Sequence, residues 1–590
     1  MRRMLPQSRC VAGGRAQCAY RHGWLRWANL HDVVLLTGFL QRRINATVFI
    51  AGVLVGIWFI SLHNFLPWNV DWLTLGNDGS AFHISWEFYR KAPMLQWPIT
   101  ATPTYIEGAN TVLASANGIV GIPAKFIGLV FRGQFQFYGL WVAATFGLQA
   151  LFSFRLLGLF IDNTSTKLTA CTLFVLAPTF VFRIGEMSHF EVASHWLILG
   201  ALYLYFSNTK FVRNWSLLLL LSILISVYIT AMLVLIFFAA LAKERFVNKA
   251  LPTLQKLSVA AVAPLLWLFA GFVFMGYLNY GGSATGTGFF RLNVLAYLNP
   301  GFSWTGSFSR IFELVVPTDH RQLFVEDMEM FQYLGIGALV MLVGLAVYLV
   351  QQRKAAWWKS NSWLIGALVI MLLVAFSHRI GFAGREVAYW WPEVLKDTRQ
   401  VFRAATRFGW PLYYALMLGA VVATSRVLPK KWASVAIGAI CLFNVIDVLP
   451  GVQETHYHIT DKYGSIRAQS TVKWETILAN KSHVKVFPNF DLQVGNTVPD
   501  AENFEKNWYL LARLALDHNM STNFGYVSRP ITEHIAREDA LIQAGLSVGE
   551  LDPEVVYIIG NKQTWQQFAE VAGADAKAEE IDGFYVITSS

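Results

Sequence analysis

The chain is short of charge and of cysteine. Charged residues make up 14% of its 590 residues, against about 25% in an ordinary soluble domain. The four cysteines are Cys10, Cys18, Cys171 and Cys441. The last two lie in apolar runs and the first two near the start, which excludes a disulfide framework for any exported part. Cys10 and Cys18 also lack the spacing and partners of a metal site. Missing too are a P-loop, a GxGxxG opening a helix after a strand, HExxH and GxSxG, so neither a nucleotide cofactor nor familiar hydrolase chemistry is expected.

What is present is apolar surface. Hydrophobic residues reach 55% and aromatics 15%, with 22 Trp and 44 Phe, and mean hydropathy is +0.42. This composition excludes disordered, collagen-like and cytosolic-enzyme classes and points to a polytopic α-helical membrane protein partnered by the bilayer. The net charge of +10 would suit nucleic acid as a total, but its placement argues otherwise. Basic residues gather in short hydrophilic breaks: Arg42 and Arg43, Arg155 and Lys167, Lys210 and Arg213, Lys243 to Lys249, Arg353 to Lys359, and Arg426 to Lys431. Each break reads as cytoplasmic, and no nucleic-acid partner is expected.

A span needs about 20 apolar residues. Candidates cover 44–63, 135–160, 167–183, 194–207, 256–279, 333–351, 361–377, 408–425 and 432–449. The apolar stretch from Trp215 to Ala242 has basic residues on both flanks, so it reads as a re-entrant hairpin or two short helices broken near Val227, Tyr228 and Thr230. The sum is about eleven transmembrane segments, with the N-terminus inside. Residues 1–43 read as a basic cytosolic leader without structure, 44–449 as the transmembrane domain with a large first outer loop at 64–134, and 450–590 as a soluble outer α/β domain. In that last domain strands are expected around Val484 to Phe487, Val555 to Ile559 and Phe584 to Thr588, and helices at Ala501 to Leu516 and Lys562 to Val571.

Three constellations could carry chemistry. In the first loop Phe82, Trp86 and Tyr89 recur at helical spacing, which predicts a helix from about Gly79 laying an aromatic stripe in the membrane interface. Asp78 stands at its start, either as a simple cap or as a rigidly mounted base for an acceptor hydroxyl. The next outward turn holds Arg183, Glu186, His189, Glu191 and His195. Glu186 and His189 are spaced to share a divalent metal such as Mg or Mn, and Arg183 to face a phosphate. The alternative is a polar turn whose charges satisfy one another, with His195 a hydrogen-bonded core residue. Finally, Arg399, Arg403 and Arg407 repeat every four residues, so a helix would stack them on one face, either for an anionic head group or as a solvated face. Glu329, ahead of an expected span, reads either as an interface anchor or as a carboxylate supporting the site from behind, and the anchor is preferred.

Taken together these features resemble the GT-C class of integral-membrane glycosyltransferases. More narrowly, Leu75-Gly76-Asn77-Asp78 followed by Trp86, Arg183 with His189 and His195-Trp196, Asn299-Pro300, Glu329 with Tyr333-Leu334-Gly335, and Phe402-Arg403 with Arg407 to Pro411 resemble a largely uncharacterised bacterial family of GT-C-like transferases. The resemblance spans about 44–411. It implies transfer of a sugar from a polyprenyl-phosphate donor to a cell-envelope glycan, lipopolysaccharide or surface protein on the outer face of the cytoplasmic membrane. Asp78 would be the catalytic carboxylate. Arg183, His189, His195, Arg403 and Arg407 would bind substrate or phosphate, and Glu186 with His189 would hold the metal, although an Asp-x-Asp is lacking there. The rival class is a flippase or transporter of lipid-linked glycan, whose ionisable groups would more often lie at the membrane midplane.

Overall fold

The computed structural model describes residues 19–74, 78–107, 117–128, 130–131, 133–207, 209–279, 290–301, 307–316, 328–351, 355–382, 385–388, 390, 402–460, 472–489, 501–525 and 531–589. Cys10, Cys18, Leu75, Gly76, Asn77 and Arg399 lie outside them.

The chain is mostly helical. Among the described residues seven helices are long and apolar enough to cross a membrane: Gln41–Phe65, Tyr138–Leu157, Val227–Val247, Leu254–Phe274, Trp358–Phe376, Ala405–Val427 and Lys430–Thr460. The pair Thr164–Val175 and Pro178–Gly185, bent by 44° at the break before Pro178, would make an eighth if it crosses as one broken span rather than turning back as a re-entrant loop. Eleven was too many. Trp196–Ser207, Phe211–Ile225 and Ile336–Gln351 are apolar but have only 12, 15 and 16 residues, and at 1.5 Å per residue the longest reaches about 24 Å, short of a 30 Å core. Trp196–Ser207 is apolar for another reason, since most of it is surrounded by protein.

The stretch from Phe211 to Ala242 is indeed two helices, broken at Ser226, whose backbone is extended. Two other expectations shift. The first helix reaches back to Ala19, so much of the basic leader continues the helix instead of lacking structure. The last runs on to Thr460, eleven residues past its expected end. Tight packing joins Ala19–Phe65 to Tyr138–Leu157. A Cβ at Gly52 would lie 2.6 Å from the Phe146 carbonyl, and one at Gly56 2.8 Å from Ala143 Cα, so small residues let these backbones touch.

The C-terminal region forms a five-stranded mixed sheet of β3 (His483–Phe487), β4 (Ser521–Thr522), β5 (Val555–Ile559), β6 (Ala576–Ile581) and β7 (Phe584–Ser589), in the order β4-β3-β5-β7-β6. β3 runs parallel to β4 and β5, and β7 antiparallel to β5 and β6. Alternation sends Val484, Val486, Val556 and Ile558 to a core with helix Ala501–Asp517, and Phe487, Tyr557 and Ile559 to a core with Ile542, Leu546 and Phe568. Helices therefore cover both faces. Separately, β1 (Arg379–Phe382) and β2 (Arg385–Ala388) form a small hairpin beside the bundle.

Helix Asp78–Lys91 joins the two parts. Trp86 and Tyr89 belong to the bundle core, with Phe82 against it, while Ala81, Ile84 and Phe88 belong to the core built around Trp508, Leu511 and Ala512. The aromatic stripe thus packs on protein rather than lying in the lipid interface. Glu107 N–H donates to the Thr522 carbonyl at 2.7 Å and Thr522 N–H to Thr104 at 2.9 Å, so the first loop meets β4 through an isolated bridge at Tyr105.

Candidate functional site

Four pieces of chain meet at one end of the bundle. Helix Pro178–Gly185 carries Arg183 in its last turn. The chain then doubles back, His189 N–H donating to the Arg183 carbonyl at 2.9 Å and Trp141 Nε1 fixing the Phe190 carbonyl at 3.1 Å. Glu329 sits on a 3-10 turn, Met328–Met330, and Arg407 on another, Ala405–Gly409, that leads into helix Trp410–Val427. Gln332 Nε2 donates to the Thr406 carbonyl at 2.6 Å and Tyr297 OH to Gly409 at 2.9 Å, tying these turns together. Asp78 opens its helix, where a carboxylate suits the dipole, and Arg90 and Lys91 close it.

The side chains form a connected line. Glu329 accepts from Arg183 Nη1 at 2.6 Å and from Arg407 Nη2 at 2.7 Å, while Arg183 Nη2 also reaches the Glu329 carbonyl at 2.5 Å. His189 lies between carboxylates, its Nε2 2.5 Å from Asp78 Oδ2 and its Nδ1 3.8 Å from Glu329 Oε1. The Arg183 guanidinium covers the Trp410 ring at 5.4 Å and that of Arg407 covers Tyr228 at 4.6 Å, so aromatic faces help hold both charges. Burial alone would raise the Glu329 pKa, but Arg183, Arg407 and His189 more than offset it and hold the carboxyl well below the usual range. Of the five side chains Asp78 is the most open, 26% exposed against 10% or less for the others. The network therefore offers one carboxylate outward, backed by a histidine and a clamped second carboxylate.

Glu329 is therefore no interface anchor. Two buried arginines far apart in sequence demanded a buried acid, and that demand was the signal that could have found it. Arg407 turns inward to meet it. Residues 402–404 are not helical, so the expected common face of Arg403 and Arg407 does not form. Half-buried Arg403 instead lies 5.6 Å from the Phe290 ring.

Glu186 and His189, expected to share a metal, meet different partners in the structure. The Glu186 carboxylate meets His458 Nδ1 at 2.6 Å, on the extension of the last bundle helix, and His458 also meets Glu454 at 3.0 Å. Both ring nitrogens of His189 already face carboxylates. Among the described residues no group of three or more His, Cys, Asp or Glu side chains is placed to hold a metal ion. His195 is a core histidine: fully buried, it pairs through Nδ1 with Tyr414 OH at 2.8 Å and packs 4.3 Å from the Trp410 ring. Of the two readings of His195, the hydrogen-bonded core residue is the one this setting matches.

Residues 49–449 match the model of a family described as a domain of unknown function, DUF6311, and residues 473–589 match the DUF6311 C-terminal domain. The chain belongs to the DUF6311 family. No curated protein matches it. Asp78, Arg183, His189, Glu329 and Arg407 all fall within the first DUF6311 match, and helix Ala501–Asp517, which packs against Ala81, Ile84 and Phe88 of the helix that Asp78 opens, within the second.

Proposed function

We propose that this protein is a membrane glycosyltransferase that moves a sugar from a polyprenyl-phosphate donor to an acceptor hydroxyl. The observation that carries the reading is Asp78, the open end of a buried line of charges at the mouth of an apolar helical bundle. In the reaction the acceptor oxygen attacks the anomeric carbon, Asp78 takes the acceptor proton, and the bond to the lipid phosphate breaks with its electron pair leaving on phosphate. His189, hydrogen-bonded to Asp78, positions the carboxylate, and Glu329 with Arg183 and Arg407 positions His189. Arg403 is suited to the departing phosphate, since among the described residues it takes part in no ion pair. A polyprenyl tail requires a catalyst with a lipid-facing bundle, which the long apolar helices supply.

Charge supports one orientation. Helix Tyr138–Leu157 runs from the site end to Arg155, and Ala405–Val427 from Arg407 to Arg426; Lys430 and Lys431 begin the helix that returns towards Glu186. Basic residues at the far end favour that end as cytoplasmic. The site and the C-terminal domain then face the periplasmic or extracellular side of a bacterial cytoplasmic membrane, where a cell-envelope glycan, lipopolysaccharide or surface protein would accept the sugar.

Mass spectrometry of lipid copurifying with the intact protein tests this reading. A polyprenyl phosphate bearing a single sugar is expected. Recovery of phospholipid alone counts against it, and a long lipid-linked glycan translocated without sugar transfer would put a flippase in its place.

A further inference from the structure

Asn117 is fully buried, and neither its Nδ2 nor its Oδ1 has a hydrogen-bond partner. It stands at the N-cap of helix Gly118–Ile127 yet makes no cap hydrogen bond with its side chain. A buried primary amide left unpaired on both atoms is costly, and native proteins seldom keep one without a reason. Its position supplies the reason. Trp86 Nε1 reaches the Gly121 carbonyl at 3.5 Å, the Lys125 ammonium lies 4.2 Å from the Tyr89 ring, and Gly128 abuts Arg90. These pairs keep a nearly constant offset, so helices Asp78–Lys91 and Gly118–Ile127 run side by side in the same direction. Asn117 therefore lies at the Asp78 end, set back by roughly four residues, or about 6 Å along the axis. On its other side Gly118 borders the Leu224 carbonyl, just before the break at Ser226 and before Tyr228, whose ring lies under Arg407.

The two unpaired atoms specify the ligand. A phosphate oxygen only accepts and would satisfy Nδ2 while facing Oδ1 unfavourably, whereas sugar hydroxyls both donate and accept. We propose that Asn117 recognises a pair of hydroxyls on the transferred sugar and so sets sugar specificity; this rests on the glycosyl-transfer reading above. Arg403 takes the phosphate, Asn117 the ring, and Asp78 the acceptor.

The test uses full-length protein in nanodiscs and short-chain polyprenyl phosphates, bare or carrying glucose, galactose, mannose, N-acetylglucosamine or arabinose, with binding read by tryptophan fluorescence. Wild type is expected to bind at least one glycosylated lipid more tightly than the bare one. Asn117→Leu and Asn117→Ala should each lose that increment, by about 10-fold, with affinity for the bare lipid unchanged. Without lipid, Asn117→Leu should melt at the same or a higher temperature, because it removes an unpaired buried amide. Variants that keep the sugar increment overturn the assignment of Asn117 and leave the transferase reading standing. A lower melting temperature for lipid-free Asn117→Leu also overturns it, since the amide would then be structural. Wild type that binds no polyprenyl phosphate contradicts both.

Discussion

Two buried charge clusters share the helix Asp78–Lys91, one at its first turn and one further along. At the first, Glu329 sits between two guanidiniums at 2.6 and 2.7 Å and stays well below its ordinary pKa. At the second, Glu87 meets Arg90 at 2.7 Å, but Arg513 stands off at 3.8 Å and is drawn to Asp517 at 2.6 Å. There burial prevails and pushes the Glu87 pKa up. The adjacent His83, also buried, keeps Nε2 without a hydrogen bond while Nδ1 meets Tyr509 OH at 3.2 Å. Similar burial thus leaves the carboxyl pKa lowered in one place and raised in the other, and the number and distance of the cations decide which. The first cluster can hold a catalytic group in register; the second fastens the C-terminal domain to the helix that carries it.

Mutations can break or sharpen this contrast. Glu329→Ala leaves two guanidiniums buried without a counter-charge and should cost about 3–5 kcal/mol, seen as a large drop in melting temperature in detergent and loss of transfer. Acid should act at the other cluster. Burial first, then Arg513 and Arg90, lower the His83 pKa from 6.5 to about 3, so the unfolded chain binds the extra proton and stability falls as pH drops below 6.5. Between pH 7 and pH 5 this amounts to about 2 kcal/mol, and His83→Phe should abolish that part of the acid sensitivity in melting curves. A smaller effect, about 1 kcal/mol, is expected for Glu87→Gln, because the amide oxygen can still accept from Arg90 and burial already disfavours the charged carboxylate. Transfer per folded molecule should persist in that variant. If Glu87→Gln destabilises as strongly as Glu329→Ala, the distinction between the clusters is wrong.

Much of the fold was legible because local patterns decide it. Apolar runs marked the long helices, the basic flanks of 215–242 called for a break, and alternation around Val484 and Val556 marked the sheet. Short helices inside the bundle were overcounted, since burial in protein and burial in lipid select the same residues. The two-residue β4 and the helix Thr532–Ser547 were missed: the first is defined by its neighbours and the second has only a narrow apolar face. At the site, Asp78, Arg183 and His189 were visible as charges at the edges of apolar runs. Their pairing was not. Glu329 joins residues 146 positions before it and 78 after it, and no local spacing encodes that closure. The contact between Glu186 and His458 was equally hidden, because His458 lies on a helix extension beyond the apolar pattern.

The proposed reaction stands or falls with proton transfer to Asp78 from the acceptor of a lipid-linked sugar. The most direct measurement is turnover by the intact protein in proteoliposomes, with a polyprenyl-phosphate sugar and an envelope-glycan acceptor, following release of bare polyprenyl phosphate by mass spectrometry. Wild type should release it in step with product. Asp78→Asn, the variant with the smallest expected change in stability, within about 0.5 kcal/mol for this partly exposed side chain, should lose at least about 100-fold in rate. Full turnover by folded Asp78→Asn would contradict the account.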